Sequence, residues 1–152
     1  MIKFSDIKLA RDSNGSYDLA IADDGDIAWV EGYETAIQMS VLCERRASAD
    51  VVSLPSMRRG WLGNEDGEIA GFEIGSLIWL YYQQRLTSNT RNGIEVAATD
   101  ALSWFLDENL VENITARTVI TKDKISLDVD FSVTNAPVET SNFVLWQRTQ
   151  SV

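Results

Sequence analysis

The sequence predicts an α+β fold, on three observations. Apolar and polar residues alternate strictly from Ile125 to Val133, the period of a strand with one wet face. Ile94, Ala97, Ala98, Ala101, Leu102, Phe105 and Leu106 recur at helical spacing, the stripe of an amphipathic helix. Asn14-Gly15 and Asp24-Gly25 separate three short apolar runs near the start, and such dipeptides mark tight hairpin turns. Strands at both ends with helices between them mean segregated elements, not an alternating α/β pattern. A length of 152 residues suits one domain spanning 1–152.

The three apolar runs, Ile7–Ala10, Tyr17–Ile21 and Ile27–Val30, are expected to form a β-meander. Tyr33, Ala36, Ile37, Ser40 and Val41 then fall on one helical face, so a first helix is expected over 33–46. Glu34 complements its positive end, and Glu44-Arg45-Arg46 puts cations at its C-terminus. Residues 47–74 show no sustained period and contain Pro55 and four glycines, which reads as a long loop. A loop of that length inside a compact domain is usually functional. Trp61, Leu62 and Phe72 argue that it is tied down.

Residues 75–86 are apolar almost all round, and a second helix is expected there, either deeply buried or packed on a second face. Thr87, Ser88 or Asn89 can cap the third and longest helix, and Asn109 is placed to end it in a left-handed conformation. Ile114–Ile120 and Ile125–Val133 form the expected C-terminal antiparallel hairpin across Thr121–Lys124. Phe143–Gln147 offers a final strand. No internal repeat is read.

Charge and composition narrow the function. The chain has 23 acidic and 13 basic residues, a net charge of −10. A field of that sign repels nucleic acid and anionic lipid, so neither is an expected partner. There is no His and only one cysteine, Cys43. That excludes imidazole general bases, Ser-His or Cys-His pairs, internal disulfides and multi-cysteine zinc sites. No run of about 20 apolar residues spans a bilayer, and no signal-peptide core follows Met1. The acidic Asn/Asp-Gly segments at 12–15, 23–26 and 64–68 match tight-turn chemistry better than the twelve-residue calcium loop. The expectation is a non-enzyme that binds no cofactor or metal.

Charge is unevenly spread. Residues 35–63 carry Arg45, Arg46, Arg58 and Arg59 against only Glu44 and Asp50, a basic island in an acidic chain. Arginine's planar fork suits carboxylates or backbone carbonyls in fixed geometry. The island reads either as a buried clamp or partner contact, or as a solvated surface or pairing with the chain's own acids. Trp61, next to Arg59-Gly60, reads as a plug over the core or an interface anchor.

Several segments occur in a recognisable order: Tyr17-Asp18-Leu19, Gly25-Asp26-Ile27, Gly32-Tyr33-Glu34-Thr35-Ala36-Ile37, Glu44-Arg45-Arg46-Ala47, Arg58-Arg59-Gly60-Trp61-Leu62-Gly63 and Gly75-Ser76-Leu77-Ile78-Trp79-Leu80. Over about residues 6–133 the chain resembles the small baseplate protein of Mu-like contractile-tailed phages, within the wider sheath-initiator, or baseplate protein W, family. The resemblance implies a structural protein of the tail baseplate, made in the host cytoplasm and carried in the virion, six copies per baseplate. It implies other wedge proteins, the tail sheath protein and the central hub or spike and tube proteins as partners. Expected interface residues are Glu44, Arg45, Arg46, Arg58, Arg59 and Trp61, together with the strand residues Ile125, Leu127, Val129 and Phe131, since an exposed hairpin edge is a template for strand addition. The rival readings are an anti-adaptor-like regulatory binding module, which shares the fold of this family, and a carboxylate-based cell-wall hydrolase.

Overall fold

The computed structural model describes residues 5–13, 15–65, 73–122 and 124–147. Asn14, Asp66–Glu68, Gly71, Phe72 and Asp123, on which some turn and loop expectations rest, lie outside the described residues. The fold is α+β, as the sequence predicts. The chain divides into two compact units, residues 1–39 and 40–152.

The first unit holds four short strands: β1 (Ser5–Ile7), β2 (Leu9–Arg11), β3 (Tyr17–Leu19) and β4 (Trp29–Glu31). The three expected runs pair consecutively, as in a meander, and the first also pairs with the last. β1 pairs with β4, β2 pairs with β3, and Ile21 bridges to Ile27. At the centre, Lys8 N–H donates to Ala28 C=O, Ala28 N–H to Ala20 C=O, and Ala20 N–H to Lys8 C=O, each at 2.9 Å. The three runs therefore close into a triangle. Closure satisfies backbone groups that the outer strands of an open meander would leave bare. A repeat unread in the sequence underlies it. Asp6-Ile7-Lys8-Leu9, Asp18-Leu19-Ala20-Ile21 and Asp26-Ile27-Ala28-Trp29 share the pattern Asp, apolar, any, apolar. In each, the Asp carboxylate accepts the N–H of the next residue, at 2.7–2.8 Å. The Asp-Gly expectation holds at Gly25, whose φ of +87° suits the tight turn.

Helix α1 (Glu34–Leu42) crosses from one unit to the other and is shorter than expected. The Glu44-Arg45-Arg46 segment leaves the helix because its backbone is used elsewhere. Ser76 N–H donates to Cys43 C=O at 2.9 Å and Arg45 N–H to Ser76 C=O at 3.0 Å, a parallel bridge between 44 and 76. The Ser76 hydroxyl donates to Val41 C=O at 2.7 Å, closing the end of the helix. Gly75 makes this approach possible. Its φ is +113°, and a Cβ there would sit 2.8 Å from the Cys43 carbonyl oxygen.

The expected helix over 75–86 is a single 3-10 turn, Ile78–Tyr81. Ile, Trp and Tyr are middling helix formers, and tertiary contacts decide. Ile78 is fully buried, and Trp79 Nε1 donates to Arg45 C=O at 2.9 Å. Thr87 caps helix α2 (Ser88–Leu102), its hydroxyl accepting from Thr90 N–H. The expected long helix breaks at Ser103, beyond which α3 (Trp104–Asp107) adds one turn. Asn109 ends it with φ +56°, and Leu110 N–H returns to Phe105 C=O at 2.9 Å. The expected apolar stripe is buried from Ile94 to Phe105, but Leu106 faces solvent.

Strands β5 (Asn113–Ile120), β6 (Lys124–Ser132) and β7 (Glu139–Gln147) form an antiparallel sheet in the order β5-β6-β7. The expected hairpin is present, and the final strand extends it to a three-stranded sheet. Leu127, Val129, Phe131 and Phe143 on its inner face join Ala98, Leu102 and Phe105 among the buried apolar residues of this unit.

Candidate protein interface

The arginine island is a clamp built around the loop after α1. Arg46 donates to the carbonyls of Arg59 (3.1 Å) and Pro55 (3.3 Å). Arg58 donates to the carbonyls of Val52 (2.8 Å) and Ser53 (3.0 Å). Arg59 pairs with Glu44 at 2.5 Å and lies 5.1 Å from the centre of the Trp79 ring. Both partners of that pair are more than a third exposed, so the pair contributes at most about 1 kcal/mol. The gain lies in ordering the loop: three guanidiniums take carbonyls and a carboxylate that would otherwise need water. Backbone bonds continue the brace, Ala47 N–H to Arg58 C=O at 3.0 Å and Trp61 N–H to Glu44 C=O at 2.8 Å. Asn64 then staples the loop to Ile74, donating to its carbonyl at 2.8 Å and accepting its N–H at 3.0 Å. The described part of the loop, 47–65 and 73–74, is tied down, though by the arginines and Asn64 and not by Trp61 and Leu62, which are exposed.

On this braced loop Val51, Leu54, Met57, Trp61 and Leu62 are exposed. Trp61 folds over its neighbour, since a Cβ on Gly63 would meet its ring at 2.4 Å; it is 41% exposed, so it is not a core plug. Arg45 stands apart from the other three arginines. It lines a polar pocket of about 380 Å³ with Glu73, Asp100, Asp107 and Glu108. Glu44, Arg46, Arg58, Arg59 and Trp61 thus share one loop.

The second group of expected interface residues is in a different place. Ile125 is half-buried, Leu127, Val129 and Phe131 are buried, and β6 is paired along both sides. Their side chains are core, and β6 has no free edge. The edges of the sheet are β5 and β7, and they differ. The Glu95 carboxylate on α2 accepts Thr118 N–H of β5 at 2.7 Å. No comparable bond covers β7 among the described residues. The outer face of the sheet is laced across strands. Asn142 donates to Asp128 at 2.5 Å, while Thr140 and Arg117 each donate to Asp130 at 2.6 Å. Those bonds hold the Asp130 carboxyl below the usual carboxylate range, the Thr140 hydroxyl contributing most.

Near one end of β7 the register slips between Ile125 and Ser126. Ile125 faces Trp146 and Ser126 faces Val144, so Leu145 is an extra, bulged residue. Leu145 and Trp146 line a pocket of about 230 Å³ with Tyr81, Tyr82, Leu86 and Ile94. Burial pushes the Tyr82 hydroxyl above its ordinary pKa, nearby Glu44 adds to this, and Arg59 opposes it. Burial likewise pushes the Cys43 thiol up, away from the thiolate that a nucleophile needs. The guarded β5 edge and the local repeat are features that the sequence reading missed. The repeat was visible in the residues; Glu95 carried no signal, because nothing local pairs it with Thr118.

Residues 33–138, more than two thirds of the chain, match the family described as phage protein GP46. None of the curated proteins matches the chain. No helix among the described residues is long and apolar enough to cross a membrane.

Proposed function

Starting from the GP46 family of phage proteins, to which this chain belongs, we propose that the protein is a structural component of a contractile-tail baseplate, joining wedge proteins and starting the sheath. It acts by binding, without catalysis. The observation that carries this reading is the asymmetry of the C-terminal sheet. One edge, β5, has its Thr118 N–H taken by Glu95; the other, β7, is nine residues long and, among the described residues, pairs with β6 alone. A bare edge of that length is a template for another chain's strand, and each main-chain bond so formed contributes about 0.5–1.5 kcal/mol. The ordered loop and strand segments that resemble the small baseplate proteins of Mu-like phages support the same placement. The braced arginine loop supplies a second, rigid contact for wedge or hub neighbours.

The test is a deletion of the gene in its phage, with electron microscopy of the lysate and mass spectrometry of wild-type tails. The expected result is the protein in purified wild-type tails, and tubes or hubs without sheath in the deletion. Full-length contractile sheaths in the deletion, or absence of the protein from purified tails, would overturn the proposal.

A further inference from the structure

The N-terminal β-triangle presents an apolar face that is exposed among the described residues. Side chains alternate along each strand, and directly paired residues point to the same side. The pairs Ile7–Trp29, Leu9–Leu19 and Ile21–Ile27 therefore gather all six apolar residues of the threefold repeat on one face. Leu19 is 48% exposed, Ile21 65% and Trp29 66%; Ile7, Leu9 and Ile27 are half-buried. Isolated exposed apolar residues are ordinary, but a contiguous group with a Trp at its edge marks an interaction surface. The face is also held in shape. The three-way bonding at Lys8, Ala20 and Ala28 fixes the backbone beneath it, and the Thr35 hydroxyl donates to Ile7 C=O at 2.5 Å. These strands lie outside the segment matched by the phage family, which begins at residue 33.

The charge around the face selects the occupant. Residues 1–34 carry eight acids and three bases, and Asp23 and Asp24 lie in the turn between Ile21 and Ile27 at the rim of this face. A second copy docking face to face would set this charge against itself, and an anionic membrane would be repelled. We propose that this face docks a different protein, one whose contact surface is apolar at its centre and ringed by lysine or arginine. The apolar pairs supply the contact area, and the aspartates steer the approach and reject like-charged surfaces.

A photo-crosslinking residue placed at position 29, and separately at position 21, in cells making all the phage proteins tests this directly. Position 138, also exposed but on the other unit, is the control. The expected result is one phage-encoded partner, crosslinked from 29 and 21 but not from 138, through a peptide containing Lys or Arg. Changing Asp23 and Asp24 to Asn should lower the yield about threefold or more at low salt, while the melting temperature of the purified chain stays the same. Crosslinks to a second copy, to lipid or within the chain, no crosslink, or a yield indifferent to the two Asn changes would each overturn the proposal. Because the crosslinks are read in whole cells, this outcome is separate from whether the protein is found in purified tails.

Discussion

Phe105 is fully buried on α3, and its carbonyl also receives the chain as it turns at Asn109. Emptying that site by Phe105→Ala should cost about 3–5 kcal/mol, read as a lower urea midpoint; a loss under about 1 kcal/mol would mean that the site collapses without penalty. Asp130 offers a test by pH. Its carboxyl is held below the ordinary range in the folded chain, so the unfolded chain takes up the proton first. The stabilisation is then present above about pH 4 and is lost as pH falls from there through the depressed folded value. Asp130→Asn should be less stable than wild type at pH 6, and the gap should narrow by pH 3, in paired denaturant titrations. At this scale, legibility depended on locality. Thr87, Phe105 and Asn109 were readable because a cap, a stripe and a left-handed terminator are short-range signals. The arginine clamp was readable as fork chemistry, but its acceptors were not, because every residue carries a carbonyl and sequence does not say which one lies within reach.

Elements were mistaken where a long-range backbone contact competed with a local pattern. The C-terminal end of α1 reads as helix to Arg46, yet residues 43–45 are bonded to Ser76 instead. The segment 75–86 reads as an apolar helix, yet Gly75 must lie against Cys43, and the turn after it is held by Trp79 reaching Arg45. Gly75→Ala should therefore destabilise by more than about 1 kcal/mol, since it combines a positive φ with a backbone clash. Wild-type stability in that variant would show that the junction can relax. Glu95 makes a second prediction at this level. Its carboxylate takes the outward N–H of β5 at Thr118, and the residue sits on α2 (Ser88–Leu102). Glu95→Ala should leave the helical circular dichroism unchanged and raise concentration-dependent aggregation, measured by light scattering, because a bare edge recruits other strands. Scattering equal to wild type would show that α2 covers the edge by bulk alone.

Along the chain, the acidic N-terminal strands and the basic loop after α1 carry opposite charge, and β7 is an edge that pairs with β6 alone among the described residues. Such a distribution suits a protein with several neighbours better than one with a single ligand. The fold class was readable because its two clearest periods, in α2 and β6, are long. The edge was not: the alternation from Ile125 to Val133 marks the strand with the best-formed apolar face, and that strand is buried in the middle of the sheet. The edge strand β7 is less regular, with its bulge at Leu145. Strand addition should therefore depend on β7. Proline removes one N–H without adding charge. At positions from Thr140 to Trp146 whose N–H points away from β6, it should leave the fold and wedge formation intact while abolishing sheath growth in phage assembled with the variant. Where the N–H bonds to β6, proline should instead unfold the sheet, and circular dichroism separates the two groups. Growth of full-length sheaths in every folded proline variant would remove β7 from the mechanism and leave the arginine-braced loop as the contact that starts the sheath.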